Sequence, residues 1–543
     1  MPFLRVEKKA SGTYIRLVES YREGKEPKHR TLYTFGKVED FKPQQLQALG
    51  MKFMELSGKA AESTLESSLE ELDRFNYGFP LVVTSLLRKI GLDVVMQRFE
   101  RTHKLSYSLF DCLALMLCRR LDSPCSKRCA HLEQPGYMGL NPVNLQHMYR
   151  SLDYFAKYQE WLQEYLFKQR HKLGAAALDI VFYDVTTFYF HSEEEKEGEL
   201  RQMGYGKDGK IGKTQVLFGL LVDGKGMPVG YQVYSGDTYE GHTFGDAVKL
   251  LRQRYNIRRL IVVADSGMMN RENVTLFEAG QIAGDFEYIV ADRLKNFKKV
   301  AQDYLCDLKN YDTVVVKAPD GTMLPMRYAT VEYEGRQVLC TYSEKRAKKD
   351  AWEREKKIKK GQQLLKNPTA IEKKAKRFFL KKTGQGDGQF EMDIEKIKKD
   401  ARFDGFWALA TNALDLTPPQ LLQKYKDLYH VEHSFRTFKS YLETRPMFHW
   451  TDGRIKGHLF VCYLSYYLLA HLKNTLQEDS IEATEYKIQK MLSSMEVSKV
   501  KNGQDTFFLR SNIDETTHKV LTKLQLPIIK NIIHGDSIPE LIA

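Results

Sequence analysis

The segment from residue 176 to 294 constrains this chain more than any other, because it reads as strands and helices in one fixed order. ALDIVFYDVTTFYF is dense in β-branched and aromatic residues, the composition of a strand buried inside a sheet. TQVLFGLLVD and PVGYQVYSG follow as two more strands, separated by the turn-like DGKGM. TFGDAVKLLRQRYN is helical, LIVVAD a strand, RENVTLFEAGQ a helix and FEYIVAD a strand. The order β-β-β-α-β-α-β predicts an α/β fold, a mixed sheet flanked by helices. The pattern then breaks, and only at DGFWALATN does a strand of the same texture return.

Two carboxylates stand where a sheet of this kind places its chemistry. Asp184 follows IVFY, and Asp265 closes RLIVVA where the chain leaves into SGMMN. Carboxyl ends of strands are the usual place for site residues in α/β sheets. A third carboxylate, Glu432, lies in YKDLYHVEHSFRTFK, which reads as an amphipathic helix. Thr417-Pro418-Pro419 supplies an N-cap and a first-turn proline, and no Gly or Pro follows until Pro446. Leu421, Leu428, Phe435 and Leu442 recur every seven residues and mark the buried side. At about 100° per residue, Tyr425, Glu432 and Lys439 fall within roughly 60° of Leu428. A carboxylate and an ammonium therefore sit on a stripe that should be apolar, where burial without partners is costly. Converging carboxylates repel one another and need cations. Two divalent ions about 3.5–4 Å apart, held by such oxygens, form a clamp that cleaves phosphodiesters. Mg²⁺ prefers hard oxygens and keeps several waters, so one or two carboxylates per ion suffice. Asp292 in YIVADR reads as a turn residue, and His430-x-x-His433 is not the H-E-x-x-H arrangement of a zinc site. Cys125-x3-Cys129 with His131 lacks a second ligand pair at a finger-like spacing, so zinc is not expected there either.

The rest of the chain divides by texture. Residues 1–57 hold two alternating strands, TYIRLVESY and RTLYTFGKV, joined by the turn-like REGKEPKH. Residues 58–175 read as helical, and Arg119, Arg120, Lys127 and Arg128 cluster there as a solvated or DNA-contacting face. Residues 176–294 are the first part of the sheet domain, and 295–410 read as a β-rich insertion carrying a strongly basic helical run. Residues 411–475 supply the completing helices and 476–543 a polar helical end. A net charge of +13 points to a polyanionic partner, usually nucleic acid. The 42% hydrophobic composition is that of a soluble globular protein, and seven scattered cysteines fit reduced thiols. MPFLRVEKKASGTY has no apolar signal core, and VCYLSYYLLAHL is about half a membrane span. The expected location is the cytoplasm, with no membrane partner.

Taken together, these motifs resemble those of bacterial insertion-sequence transposases of the DDE class, and more narrowly the insertion-sequence-four superfamily. The resemblance runs through YDVTTFYF, GYGKDGK, TQVLFGLLVD, PVGYQVYSGDT, VVADSGMMNREN and EYIVADR, and resumes at DGFWALATN and the Glu432 helix. VESYREGKEPKHRTLYTFG and SPCSKR also look like the branch with long direct target repeats. The family signature in the last helix is Tyr-x2-Arg-x3-Glu-x6-Lys. Tyr425, Glu432 and Lys439 match it, but Leu428 stands at the arginine position, and Arg436, one turn beyond the glutamate, is the candidate substitute.

The resemblance implies an RNase H-like mixed sheet flanked by helices, interrupted by a β-rich insertion, with a helical N-terminal DNA-binding region. It implies Asp184, Asp265 and Glu432 as catalytic metal ligands, and Tyr425, Lys439 and Arg436 as DNA contacts. The cofactor would be two Mg²⁺ ions, with Mn²⁺ able to replace them. The partners would be double-stranded DNA, as terminal inverted repeats and target, and a second copy of the chain in a synaptic complex at the bacterial nucleoid. Some relatives release the element through a hairpin and stack a flipped base on an insertion-domain aromatic, a part open to Trp352 or Trp407. Two other readings stand beside this one: a metal-dependent nuclease without strand transfer, and an inactive DNA-binding descendant of a transposase.

Overall fold

The computed structural model describes residues 2–23, 26–57, 69–172, 180–191, 200–204, 212–255, 259–264, 285–317, 322–366, 379–382, 390–478, 481, 483–502 and 505–534. They fall into two compact units. One lies within Met1–Asp73, Ser498–Leu509 and His534–Asp536, the other within Arg74–Val497, Arg510–Ile533 and Ser537–Ala543.

In the first unit β1 (Pro2–Lys9), β2 (Gly12–Glu23) and β3 (Glu26–Lys37) form an antiparallel meander, followed by α1 (Pro43–Leu56). The expected two strands are present, and β1 is a third, registered Val6 on Ile15. The stretch read as a turn is mostly strand, since Arg22 pairs with Pro27 and Glu23 with Glu26. β4 (Leu69–Asn76) follows, ahead of the helices that open the second unit.

Those helices are α2 (Gly78–Lys89), α3 (Leu92–Thr102), α4 (Leu109–Asp122), α5 (Lys127–Glu133) and α6 (Leu145–Lys172). α4 is buried on nearly every side, as LFDCLALMLC dictates. The basic cluster expected on this region's surface is mostly inside: Arg119 is 9%, Arg120 6% and Lys127 5% exposed, and only Arg128 faces solvent. Helical spacing groups these residues in sequence but does not say which side of each helix meets another layer.

The sheet is built from β5 (Ile180–Tyr189), β6 (Gln202–Met203), β7 (Thr214–Asp223), β8 (Pro228–Ser235), β9 (Arg259–Ala264), β10 (Asp285–Asp292), β11 (Asp312–Lys317), β12 (Met323–Tyr333) and β13 (Arg336–Tyr342). β14 (Leu380–Lys382) and β15 (Phe390–Met392) pair separately, and β16 (Phe406–Thr411) completes the sheet. The order is β11-β12-β13-β16-β10-β9-β5-β7-β6, with β8 on β7. β5, β9 and β10 are parallel neighbours, and every other pairing in this sheet is antiparallel. Residues 295–410 thus extend the same sheet: β13 pairs with β16, and β16 pairs with β10. β7 is buried along its whole length, the expected fate of a continuous apolar run covered on both faces.

Alternation assigns the two faces. Val181, Tyr183 and Val185 of β5 join Val262, Phe244 and Ala247 in a core beneath α7 (Glu240–Tyr255), and Leu305 of α8 (Lys299–Leu305) belongs to the same cluster. Phe182, Asp184, Thr186 and Phe188 point the other way. After α9 (Glu344–Leu365) and α10 (Ile394–Ala401), the helices α11 (Pro418–Lys426), α12 (Tyr429–Arg436) and α13 (Asp452–Gln477) cover that second face. α13 is apolar around most of its circumference because it lies between the sheet and the N-terminal helices. The Tyr463 ring meets that of Tyr231 on β8 at a tilt, with centroids 4.8 Å apart, while Gly457 meets α6. No helix among the described residues is long and apolar enough to cross a membrane.

Residues 476–543, read as helical, carry strands as well: α14 (Glu485–Ser493) precedes β17 (Glu496–Asn502) and β18 (Asp505–Arg510), and α15 (Glu515–Lys523) precedes β19 (Ile532–His534). EVSKV places its two valines three residues apart, not in a strand's two-residue alternation, so the sequence carries no clear strand signal there.

Candidate active site

Asp184 is in the middle of β5, not at its end, because VTTFY is as β-favouring as the residues before it. Among the described residues, β9 pairs with β5 only from Ile180–Ile261 to Phe182–Val263, and its last described residue is Ala264. On the other side the antiparallel ladder with β7 continues, with Asp184 opposite Leu220. The half-buried Asp184 accepts a hydrogen bond from the Val185 N–H through Oδ1 at 2.7 Å.

The helix carrying Glu432 lies along this same face. The rings of Phe182 and His430 are 6.1 Å apart, and those of Phe188 and Phe438 are 6.3 Å apart. Asp184 falls between Phe182 and Phe188 on the strand, and Glu432 between His430 and Phe438 on the helix. The fold therefore brings the Asp184 strand and the Glu432 helix into one layer contact. Asp265 lies outside the described residues. Among the described residues no group of three or more His, Cys, Asp or Glu forms a metal cluster.

The helix departs from the single regular rod that its pattern predicts. Its start is as expected: Gln420 Oε1 accepts from the Thr417 N–H at 2.9 Å, and Pro418 opens the first turn. α11 then stops, and the chain tightens into three-residue bonds. Leu428 N–H donates to Tyr425 O at 3.1 Å, His430 N–H to Asp427 O at 3.0 Å and Val431 N–H to Leu428 O at 3.1 Å. Beyond α12 the winding loosens instead, and a wide turn over Thr437–Tyr441 closes with Leu442 N–H on Thr437 O at 2.8 Å. Such wide turns recur at functional sites.

The observed exposures resolve the polar stripe. Leu421, Leu428, Phe435 and Leu442 are all buried as expected. Glu432 is exposed: at about 100° per residue it lies roughly 40° round the helix from Leu428, at the margin of the buried stripe, while Phe435 and Leu442 keep its phase. Tyr425 and Lys439 are half-buried, and Arg436 is exposed. Tyr425 meets Trp407 edge-on, with ring centroids 4.6 Å apart. Leu428, at the signature's arginine position, is core at 7% exposure. Of the two candidate aromatics, Trp407 is half-buried on β16. Trp352 is 55% exposed on α9, with Lys356 Nζ 3.4 Å from its ring centroid.

Behind the helix a polar network fixes its angle. Lys473 Nζ donates to Glu485 Oε1 at 2.6 Å, and His433 Nε2 is 3.7 Å from the same oxygen. Ser434 Oγ donates to His430 O at 2.7 Å and bonds the Tyr466 hydroxyl at 2.6 Å. Burial holds His430 and His433 below the usual imidazole range, so both rings are neutral near pH 7. The carboxylates on these two packed elements, half-buried Asp184 and exposed Glu432, carry hard oxygen donors of the kind divalent cations take.

Residues 176–468, more than half the chain, match the transposase DDE domain family, and residues 4–75 match the N-terminal domain of IS1634 family transposases. No curated protein matches significantly. Among solved structures, a cryo-EM piggyBac transposase synaptic complex with hairpin DNA aligns at 10% identity and a TM-score of 0.38, covering 76% of this chain and 79% of that one. The DDE match spans the sheet, the Asp184 strand and the Glu432 helix that packs on it. By that match the chain belongs to the DDE transposases, of the bacterial insertion-sequence kind.

Proposed function

We propose that this transposase cuts DNA at the ends of its element and joins them to a target through Asp184, Asp265 and Glu432. The observation that carries the reading is the packing of the Glu432 helix along the Asp184 face of β5. Asp184 is fixed by the rigid centre of the sheet, and its Oδ1 is oriented by the Val185 N–H. Glu432 stands exposed on a helix whose tilt is held by Ser434 and Tyr466. Two Mg²⁺ ions, when bound by these carboxylates, would supply Lewis-acid stabilisation of the phosphorane-like charge and lower the pKa of the attacking water. The chain's own part is to hold the carboxylates apart without cations, present Lys439 and Tyr425 to phosphates beside the scissile bond, and keep the attacking oxygen in line. Arg436, exposed one turn past Glu432, takes the phosphate-facing part that Leu428 cannot. The partners in this reading are duplex terminal repeats, a target duplex and a second copy of the chain in the synaptic complex.

The test is a joining assay with purified protein, DNA carrying the element ends, Mg²⁺ and a supercoiled target plasmid. Cleavage with joined products supports the proposal; cleavage without joining makes the protein a nuclease, and binding without cleavage an inactive descendant. Glu432→Gln and Asp184→Asn should each lower cleavage at least about 100-fold while leaving duplex affinity near the parental value. Either variant cutting at the parental rate would remove that residue from the site.

A further inference from the structure

A second basic feature lies apart from the carboxylates. Between α5 and the loop that joins the Lys439 turn to α13 the fold encloses a cleft of about 470 Å³. Arg120, Lys127, Arg445, His449, Arg454 and His458 line it, and Glu443 is its one carboxylate. Lys127 is 5% exposed and lines the cleft, and no ion pair with a described carboxylate holds its ammonium. Arg120 is 6% exposed and spends its guanidinium on neutral carbonyls: Leu442 O at 3.0 Å, Glu443 O at 3.4 Å and Cys125 O at 3.4 Å. Two buried positive charges thus have no carboxylate against them. His458 Nδ1, also buried, has no partner among the described residues.

Burying an ammonium this way is costly unless an anion completes the site. Burial, reinforced by Arg120, pulls the Lys127 ammonium down to about 7, and burial with the Lys127 and Arg120 charges holds His449 at about 3. At the mouth the character changes. Phe448 is 63% and Trp450 45% exposed, and the Arg201 guanidinium sits 4.3 Å from the Trp450 ring centroid. A charged cleft floor matches a nucleic-acid backbone, whose phosphates seek cations. Arg445 also ties the cleft to the cleavage face, since its guanidinium lies 5.2 Å over the ring of Tyr189 at the end of β5. At about 3.3 Å per residue, Tyr189 is roughly 16 Å beyond Asp184 along the strand. That is about five base-pair steps of a duplex.

We infer that this cleft seats a backbone phosphate of the DNA being processed, with Lys127 and Arg120 as its cationic floor. The inference rests on the DNA-acting reading above, while the chemistry it needs, a phosphate oxyanion, is shared with free phosphate. The experiment therefore has two arms. Inorganic phosphate should raise the melting temperature of the parental protein and leave that of Lys127→Met unchanged. A mixed-sequence duplex should bind Lys127→Met about 5- to 20-fold more weakly, with the salt slope of log K reduced by about one. Arg454→Gln, an exposed change at the mouth, should weaken duplex binding in the same direction and guards against a folding defect in the first variant. Equal phosphate shifts in parent and Lys127→Met would overturn the anion site. Loss of the phosphate shift with duplex affinity and salt slope unchanged would overturn the DNA assignment in favour of a free phosphate. A parental protein that answers phosphate but binds no duplex at all would sink the proposed function itself, not the pocket.

Discussion

Lys127 shows what a single residue can cost and reveal. In sequence it is one of four neighbouring basic residues, and spacing alone cannot separate them. The structure sends each to a different task. Arg119 pairs with Asp122 at 3.3 Å and bonds the Tyr137 hydroxyl at 3.1 Å, Arg120 braces a loop, Arg128 faces water, and Lys127 is buried without a counter-ion. With its folded pKa lowered from 10.5 to about 7, the unfolded chain binds the extra proton between those two values. Stability from this group therefore rises as pH climbs through that window, and the full penalty stands below it. Lys127→Met keeps the length and removes the charge, so it should stabilise the protein by on the order of a few kcal/mol at neutral pH. The gain should shrink as pH approaches 10, as chemical denaturation at several pH values would show; a gain independent of pH would mean that the charge is already satisfied. Stabilisation coupled to weaker DNA binding would be the mark of a residue kept for function. Glu432 is the opposite case. Its side chain is exposed, so Glu432→Gln should shift stability by less than about 0.5 kcal/mol while cleavage is lost.

At the scale of elements, β5, β7, β8, β9, β10 and β16 could be read from their β-branched and aromatic runs, because the residues that pack a buried strand are those that favour one. Partnership was not legible in the same way. DTVVVKAP, MRYATVEYEG and RQVLCTYS read as strands of an insertion, and nothing local to them says that β13 pairs with β16 and so joins the main sheet. The helix after Thr417 was legible in its cap and its leucine stripe. Its change of winding at Asp427–Leu428 was not, since no Gly or Pro marks it; the tight turn follows from how α11 and α12 meet the sheet on different strands. Glu432 read as a buried oddity and stands exposed because it lies at the margin of the leucine stripe, not at its centre. One close approach was equally invisible: Gly457 on α13, where an added Cβ would lie 2.1 Å from Leu152 O of α6. Backbone cannot yield as a flexible side chain does, so Gly457→Ala must push the two helices apart. It should cost about 1–3 kcal/mol, read as a lower denaturation midpoint. An unchanged midpoint would mean that the crossing is looser than the contact implies.

For the whole molecule, the net charge of +13 and the carboxylate site pull in opposite directions, and the two can be separated by experiment. Attraction of a duplex to basic surfaces is long-range, independent of sequence and weakened by salt, with log K falling by about 0.9 per phosphate contacted for each decade of salt. Cleavage, in the reading proposed here, depends on cations held by Asp184, Asp265 and Glu432. Without those cations the carboxylates repel the scissile phosphate as well as one another. Chelation should therefore abolish cutting and leave duplex affinity intact or slightly reduced, while raised salt should weaken affinity in parent and carboxylate variants alike. The two effects also cross in a diagnostic way. Glu432→Gln removes a negative charge from the DNA-facing side, so under chelation it should bind duplex at least as tightly as the parent. Equilibrium binding with and without EDTA, for parent and variant at two salt concentrations, reads all of this. Weaker binding of the variant under chelation would place Glu432 away from the DNA path, and the carboxylate site would have to be sought on another face of the sheet.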